Sequence, residues 1–138
     1  MDFLSSLMQY RPYQALFNVT NTTGTYQAQY STFHVGNGST KFKLAFDGYT
    51  GNAGDPLRSS NKWAFSTIDR DHDRLKRGSC ARKMKSGWWY NMCSKAAING
   101  PCPNQAGYSR RRQFFMRWYP TSGKQPINGS EMLVRPVE

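Results

Sequence analysis

A chain of 138 residues can bury one core but not two, and 38% hydrophobic with 14% aromatic content is too rich in Trp, Tyr and Phe for a disordered segment. Nineteen Lys and Arg against eight Asp and Glu give a formal charge of +11, which favours polyanionic partners: nucleic acid, sulfated or sialylated glycans, acidic membrane surfaces. No stretch approaches the roughly 20 apolar residues that a membrane span requires.

The chain begins with Met1 to Met8, where Asp2 stands at a place that an export signal reserves for Lys or Arg, and Arg11 and Pro12 end the short apolar run. No export signal is expected there. Four Asn-x-Ser/Thr sequons, at Asn18, Asn21, Asn37 and Asn128, point the other way. Tyr13 to Val19 and Thr25 to Tyr30 are predicted strands joined by the turn residues Asn21 to Gly24. Phe33-His34-Val35 runs to a further turn at Gly36-Asn37-Gly38, with His34 expected to be packed in a strand rather than catalytic. Lys41 to Phe46 alternates polar and apolar side chains, as a strand with one wet face should. The first half therefore predicts a short antiparallel meander. Gly48 to Asn61 is predicted loop with one helical turn near Pro56, Pro101, Pro103 and Gly107 predict irregular chain, and Glu131 to Arg135 predicts a last strand.

Between the sheet and the irregular tail lies the chemistry. Asp69, Asp71 and Asp73 place carboxylates at alternate positions, a pattern of hard oxygen ligands for a divalent cation. An EF-hand starting at Asp69 would need Gly sixth and Glu twelfth, where the chain has Arg74 and Cys80, so that loop type is excluded. The competing possibility is that these Asp residues cap turns and pair with neighbouring Arg. Cys80, Cys93 and Cys102 lack the Cys-x-x-Cys spacing of structural zinc. A Cys80–Cys93 disulfide would close a short loop, contributing about 3 kcal/mol, and would leave Cys102 buried, free or linked to another chain. Basic residues cluster at Arg74, Lys76 and Arg77, at Arg82, Lys83 and Lys85, and at Arg110-Arg111-Arg112 with Arg117 beside Phe114, Phe115 and Trp118. They form either solvated faces or a polyanion surface. No nucleophile-elbow, phosphate-cradling or metalloprotease spacing occurs, and no enzyme is predicted.

Seven blocks in order carry a resemblance: Tyr30-x-x-Phe33-x-Val35-Gly36; Gly48-Tyr49-x-Gly51-Asn52-Ala53-Gly54-Asp55-x-Leu57; Phe65-Ser66-Thr67-x-Asp69-x-Asp71-x-Asp73; Cys80-Ala81; Gly87-Trp88-Trp89-Tyr90-Asn91-x-Cys93; Ile98-Asn99-Gly100; and Glu131-Met132-x-Val134-Arg135-Pro136. Together they resemble the fibrinogen C-terminal domain shared by ficolins, tachylectins, angiopoietins and fibrinogen chains. The resemblance implies an α+β fold: a short antiparallel sheet, a few short helices and a long irregular C-terminal region stapled by a disulfide. It implies a single domain over 1–138 that lacks the family's N-terminal subdomain, with 1–12 a poorly matched leader, 13–68 the sheet region and 69–138 the calcium-loop and pocket region.

For the acidic loop the resemblance implies a weak calcium site formed by the side chains of Asp71 and Asp73 and the backbone carbonyls of Leu75 and Arg77. Asp69 would support the loop, and Cys80–Cys93 would be the staple. From Asp69 to Cys80 the loop is one residue longer than the family spacing, and its surround is basic. The resemblance also implies a small ligand pocket at Met84, Met92, Cys93, Ser94 and Tyr108, with a cis peptide before Cys93. Ser94 replaces the His usual there, Met84 stands where an aromatic is common, and Cys102 replaces a Tyr. Trp88, Trp89 and the Phe115-x-x-Trp118 pair are expected to be packing. The implied function is an extracellular, lectin-like module for surface glycans or acetylated and acidic groups. Its alternative is a protein-interaction module that docks a peptide or receptor, and nucleic-acid binding is the weakest expectation. Oligomerisation through Cys102 or an absent stalk is open.

Overall fold

The computed structural model describes residues 1–102, 115–119 and 127–138. In chain order these form helix α1 (Asp2–Met8), strands β1 (Tyr13–Asn21), β2 (Gly24–Val35) and β3 (Leu44–Gly51), helix α2 (Cys80–Met84), the short pair β4 (Ala96–Ala97) and β5 (Arg117–Trp118), and β6 (Gly129–Pro136). Two single 3-10 turns, Gly38–Thr40 and Pro56–Ser60, interrupt the loops. The main sheet is antiparallel with order β3-β2-β1-β6, and β4 pairs with β5 in a second small sheet. The fold is α+β. No helix among the described residues is long and apolar enough to cross a membrane.

β1 shows why the sheet forms where it does. Ala15, Phe17 and Val19 alternate with Gln14, Leu16, Asn18 and Thr20, so every second side chain is buried. In β2 the parity changes: Ala28 and Tyr30 are buried, and so are Phe33 and Val35. The register explains this, because Tyr13 pairs with Phe33 while Ala15 pairs with Tyr30, giving β2 one extra residue opposite β1. A bulge thus joins what the sequence predicts as two short strands into a single long one.

The third strand differs from its expected position. Lys41 and Phe42 both adopt left-handed backbone, at φ 59° and 56°, which closes the turn after β2 and excludes them from a strand. β3 instead runs from Leu44 through Gly51, into the stretch predicted as loop. Gly48 makes this possible: its φ is +70°, and a Cβ there would collide with the Ser31 side chain on β2. His34, expected to be packed, is exposed on the outer face. The 3-10 turn at Pro56 and the terminal strand stand where the sequence places them, the latter extended to Gly129–Pro136.

The core lies between the inner sheet face and the irregular C-terminal half. Phe17 stands at its centre, with ring centroids 5.9 Å from Tyr30, 6.0 Å from Phe33 and 5.1 Å from Trp118. Trp88, Trp89 and Tyr90 are all buried, which is the packing role expected of the tandem tryptophans. Tyr30 is fully buried and donates from its hydroxyl to Asp55 Oδ1 at 2.7 Å. Burial first, then that bond to Asp55, holds the phenol far above its ordinary pKa. Tyr30→Phe keeps the ring and strands the Asp55 oxygen, so a loss of about 1–2 kcal/mol in chemical denaturation is expected. An unchanged midpoint would show that water satisfies Asp55 as well as the phenol does.

Candidate functional site

The acidic loop hangs from a two-residue bridge in which Ser66 and Trp88 exchange backbone hydrogen bonds of 2.9 and 3.1 Å. His72 ties the loop back to this base. Its amide donates to Ser66 Oγ at 2.9 Å, and its Nδ1 lies 2.7 Å from the Phe65 carbonyl, which can only accept and so fixes the proton on Nδ1. A tight turn from Thr67 to Arg70 follows, where the Thr67 hydroxyl donates to Asp69 Oδ1 at 2.7 Å. That bond holds the exposed Asp69 carboxyl below its ordinary pKa.

From Asp71 onward the alternation of acids has a structural cause. Asp71 Oδ1 accepts the Asp73 amide at 3.1 Å, and Asp73 Oδ1 accepts the Leu75 amide at 2.7 Å, two successive turns closed by side chains. The other Asp73 oxygen reaches across the loop to accept the Cys80 amide at 2.7 Å. Cys80 opens α2, whose preceding Ser79 accepts the Arg82 amide at 3.4 Å. A disulfide joins Cys80 to Cys93, and the Arg74 amide donates to the Asn91 carbonyl at 2.8 Å, so the loop is fastened at two points to the segment that carries Cys93.

The electrostatics of the loop centre on Asp73, which is partly buried beside Asp71. Burial, and then the facing Asp71 carboxylate, raise the Asp73 pKa, against the lowering effect of the Cys80 and Leu75 amides. Among the described residues no Arg forms a salt bridge with either acid. Arg74 instead lies over the Trp63 ring, 5.7 Å from its centroid, and Arg82 Nε donates to the Ile68 carbonyl at 3.1 Å. The pairing with neighbouring Arg considered from the sequence is absent there, while turn capping is present. Lys76 and Arg77 are exposed. Among the described residues no three His, Cys, Asp or Glu side chains converge. A hard cation that takes oxygen ligands flexibly fits a pair of uncompensated carboxylates of this kind, with carbonyls and water supplying the remainder.

The raised Asp73 pKa has a sign that can be tested without metal. The folded chain holds this proton more tightly than the unfolded chain, so its stabilising effect is complete below the ordinary carboxylate pKa and is lost as pH rises through the raised value. Asp71→Asn keeps the Oδ1 that accepts the Asp73 amide and removes the repelling charge. Calcium-free melting of Asp71→Asn at neutral pH should equal or exceed that of the parent, with a flatter acid-range pH profile. A lower melting temperature at every pH would show that Asp71 is needed as a charge in the metal-free loop.

The expected pocket residues lie on two levels. Met84 is buried at the end of α2, 3% exposed, and its Sδ accepts from Arg117 Nη2 at 3.7 Å. Met92 is 62% exposed, precedes a cis peptide to Cys93, and stands beside the half-buried Ser94. The Ser94 hydroxyl is engaged inside the protein, 3.1 Å from Ser60 Oγ and accepting the Ala96 amide at 3.1 Å. Tyr108, Phe114 and the run Arg110-Arg111-Arg112 lie outside the described residues. Neither the Ser60 and Ser94 contact, between residues 34 apart, nor the stacking of Arg74 on Trp63 is legible in the sequence, because neither follows a local pattern.

The family model for the fibrinogen beta and gamma chains, C-terminal globular domain, matches residues 1–137. Human angiopoietin-related protein 6 is 34% identical over 113 residues, covering 81% of this chain and 24% of that protein. Fibrinogen-like protein 1 of Mesocricetus auratus is 37% identical over 107 residues, covering 70% of this chain and 33% of that protein. Among solved structures, the fibrinogen-like globe domain of human ANGPTL6 aligns with a TM-score of 0.89 at 30% identity, over 98% of this chain and 61% of the other. A lamprey fibrin D-dimer, in complex with the peptide ligand Gly-His-Arg-Pro-amide, aligns at 0.83 over 97% of this chain and 48% of the other; at 21% identity it shows the fold alone. The chain thus spans about a quarter to a third of those two curated relatives and about three fifths of the solved globe domain. With nearly its whole length matched by the family model, the chain belongs to the fibrinogen C-terminal globular domain family.

Proposed function

We propose that this domain is an extracellular protein-docking module whose contact surface is the acidic loop, braced by calcium, together with the adjoining Met92–Ser94 segment. The family is one of non-enzymatic binding modules, and the angiopoietin-related and fibrinogen-like relatives support a protein partner over a glycan. The observation that carries this reading is the inward engagement of Ser94. Its hydroxyl is satisfied by Ser60 and the Ala96 amide, so the residue standing where a small acetylated ligand would find a His offers little to such a ligand. What the segment does present outward is Met92, an adaptable apolar side chain. Exposed Arg74, Lys76, Arg77, Lys83 and Lys85 lie on the flanking segments, which favours an acidic receptor face.

Calcium, when bound, would neutralise the Asp71 and Asp73 charges and draw in the Leu75 and Arg77 carbonyls. The chain's own bonds do the remaining work, with Asp73 fixing the Leu75 and Cys80 amides and the cystine joining the end of the loop to Cys93, the residue after Met92.

The test is binding of the fluorescently labelled, oxidised chain to cultured animal cells in calcium. Binding that trypsin treatment of the cells abolishes, that survives heparinase and neuraminidase, and that Met92→Glu weakens at least tenfold is expected. Binding removed by the glycosidases alone would replace this reading with the glycan-recognition one, and absence of saturable binding would overturn both.

A further inference from the structure

Four sequons stand in this sequence, and the fold treats them differently. Asn18 lies in β1 between β2 and β6, on the outer sheet face. Its Nδ2 donates to Glu131 Oε2 at 2.9 Å, its Oδ1 accepts from Gln27 Nε2 at 3.0 Å, and the sequon hydroxyl of Thr20 is 3.0 Å from that of Thr25. A sugar on Nδ2 would displace a polar ladder that spans three strands. Asn21 is half-buried in the hairpin turn, where its Oδ1 accepts from the Thr23 amide, the Thr23 hydroxyl and the Gly24 amide. Asn128 is exposed, and its sequon leads directly into the extended backbone of β6.

Asn37 is held in another way. It is exposed at the start of the turn after β2, and its carbonyl accepts from the Thr40 amide, the Phe42 amide and the Thr40 hydroxyl at 3.0, 3.0 and 2.8 Å. Its Oδ1 accepts both the amide and the hydroxyl of Ser39, the third sequon residue. Backbone and carbonyl are thereby fixed, while Nδ2 has no partner among the described residues. The middle residue, Gly38, adds no bulk, and even a Cβ built there would meet only the Phe42 ring edge at 3.8 Å.

We propose that Asn37 carries an N-linked glycan and that Asn18, despite its sequon, does not. The reaction transfers an oligosaccharide from a lipid-linked pyrophosphate donor. The Nδ2–C1 bond forms, the glycosyl–phosphate bond breaks, Nδ2 loses one proton, and the lipid pyrophosphate leaves. Because the sugar is added before or during folding, the fold acts as the selector: a chain modified at Asn37 folds around an outward amide, whereas one modified at Asn18 must assemble its sheet around the sugar. The inference rests on the extracellular reading, since only a chain that enters the secretory pathway meets the donor.

The full chain is expressed behind a heterologous signal peptide in cultured animal cells, and occupancy is mapped by peptide-N-glycosidase digestion in heavy-oxygen water with mass spectrometry. Secreted and retained fractions are analysed alike. Occupied Asn37 and unmodified Asn18 are expected in the oxidised chain, with one glycan lost in Asn37→Gln and in Ser39→Ala, and with Asn18→Gln leaving the glycan pattern unchanged. Unmodified Asn37 in both fractions, or a glycan on Asn18 in oxidised, protease-resistant chain, would overturn the proposal. The imposed signal separates this outcome from the question of native export: glycosylation here with a natural parent protein that stays inside the cell would overturn the extracellular reading alone.

Discussion

Replacement of Phe17 by alanine is expected to lower the stability of this domain by about 3–5 kcal/mol, the range for deleting a buried phenylalanine ring. The side chain is fully buried at the middle of β1, an interior strand of the sheet, and its ring meets Tyr30, Phe33 and Trp118. Those partners belong to β2 and to β5, so one substitution opens a cavity exactly where the sheet and the C-terminal half meet. Against a total of about 5–15 kcal/mol for an ordinary domain, the loss would leave the variant marginal. Chemical denaturation monitored by tryptophan fluorescence measures it. Leu16→Ala, one residue away and on the outer face, is the control, with a loss of about 1 kcal/mol or less expected. Equal losses in the two variants would mean that the inner face is not the core.

The second large effect concerns the cystine. Cys80→Ser combined with Cys93→Ser removes a short loop closure, and about 3 kcal/mol should be lost on chain-entropy grounds. The consequence should also be local, because Cys80 donates its amide to Asp73 while Asn91, two residues before Cys93, accepts the Arg74 amide. Hydrogen exchange at Leu75 and Cys80 is expected to accelerate beyond what the global loss explains, with the β1 and β2 amides following global stability. Uniform acceleration throughout would reduce the disulfide to a general tether with no part in shaping the loop.

These effects show which parts of the molecule were legible in the sequence. Alternation in β1 and the turn residues Asn21 to Gly24 are local signals, and the hairpin stands where they place it. The break at Ser31 and Thr32 is legible only in part. Two strand-like runs of opposite parity are visible in the sequence, but that a bulge joins them depends on the register with β1. Lys41 and Phe42 fit a strand by pattern, and a tertiary turn overrides it by placing both in left-handed backbone. In the loop, the acids and the cysteines are apparent from spacing and resemblance. The outward course of Arg74 is not, since it depends on Trp63 eleven residues earlier. Ser94 is a similar case: its type is visible, and its inward engagement with Ser60 is a property of the fold.

Asp71 and Asp73 have no Arg partner among the described residues, burial and then the neighbouring Asp71 carboxylate raise the Asp73 pKa, and the cystine holds the loop at Cys80; we propose that calcium, by joining the two carboxylates, offsets their charge. The most direct check is calorimetric titration of calcium into the oxidised, metal-stripped chain, with Asp71→Asn and Asp73→Asn titrated in parallel and circular dichroism recording that each variant is folded. A saturable heat in the parent that vanishes in both folded variants is the predicted result. No heat in the parent, or the same heat in either variant, would contradict it.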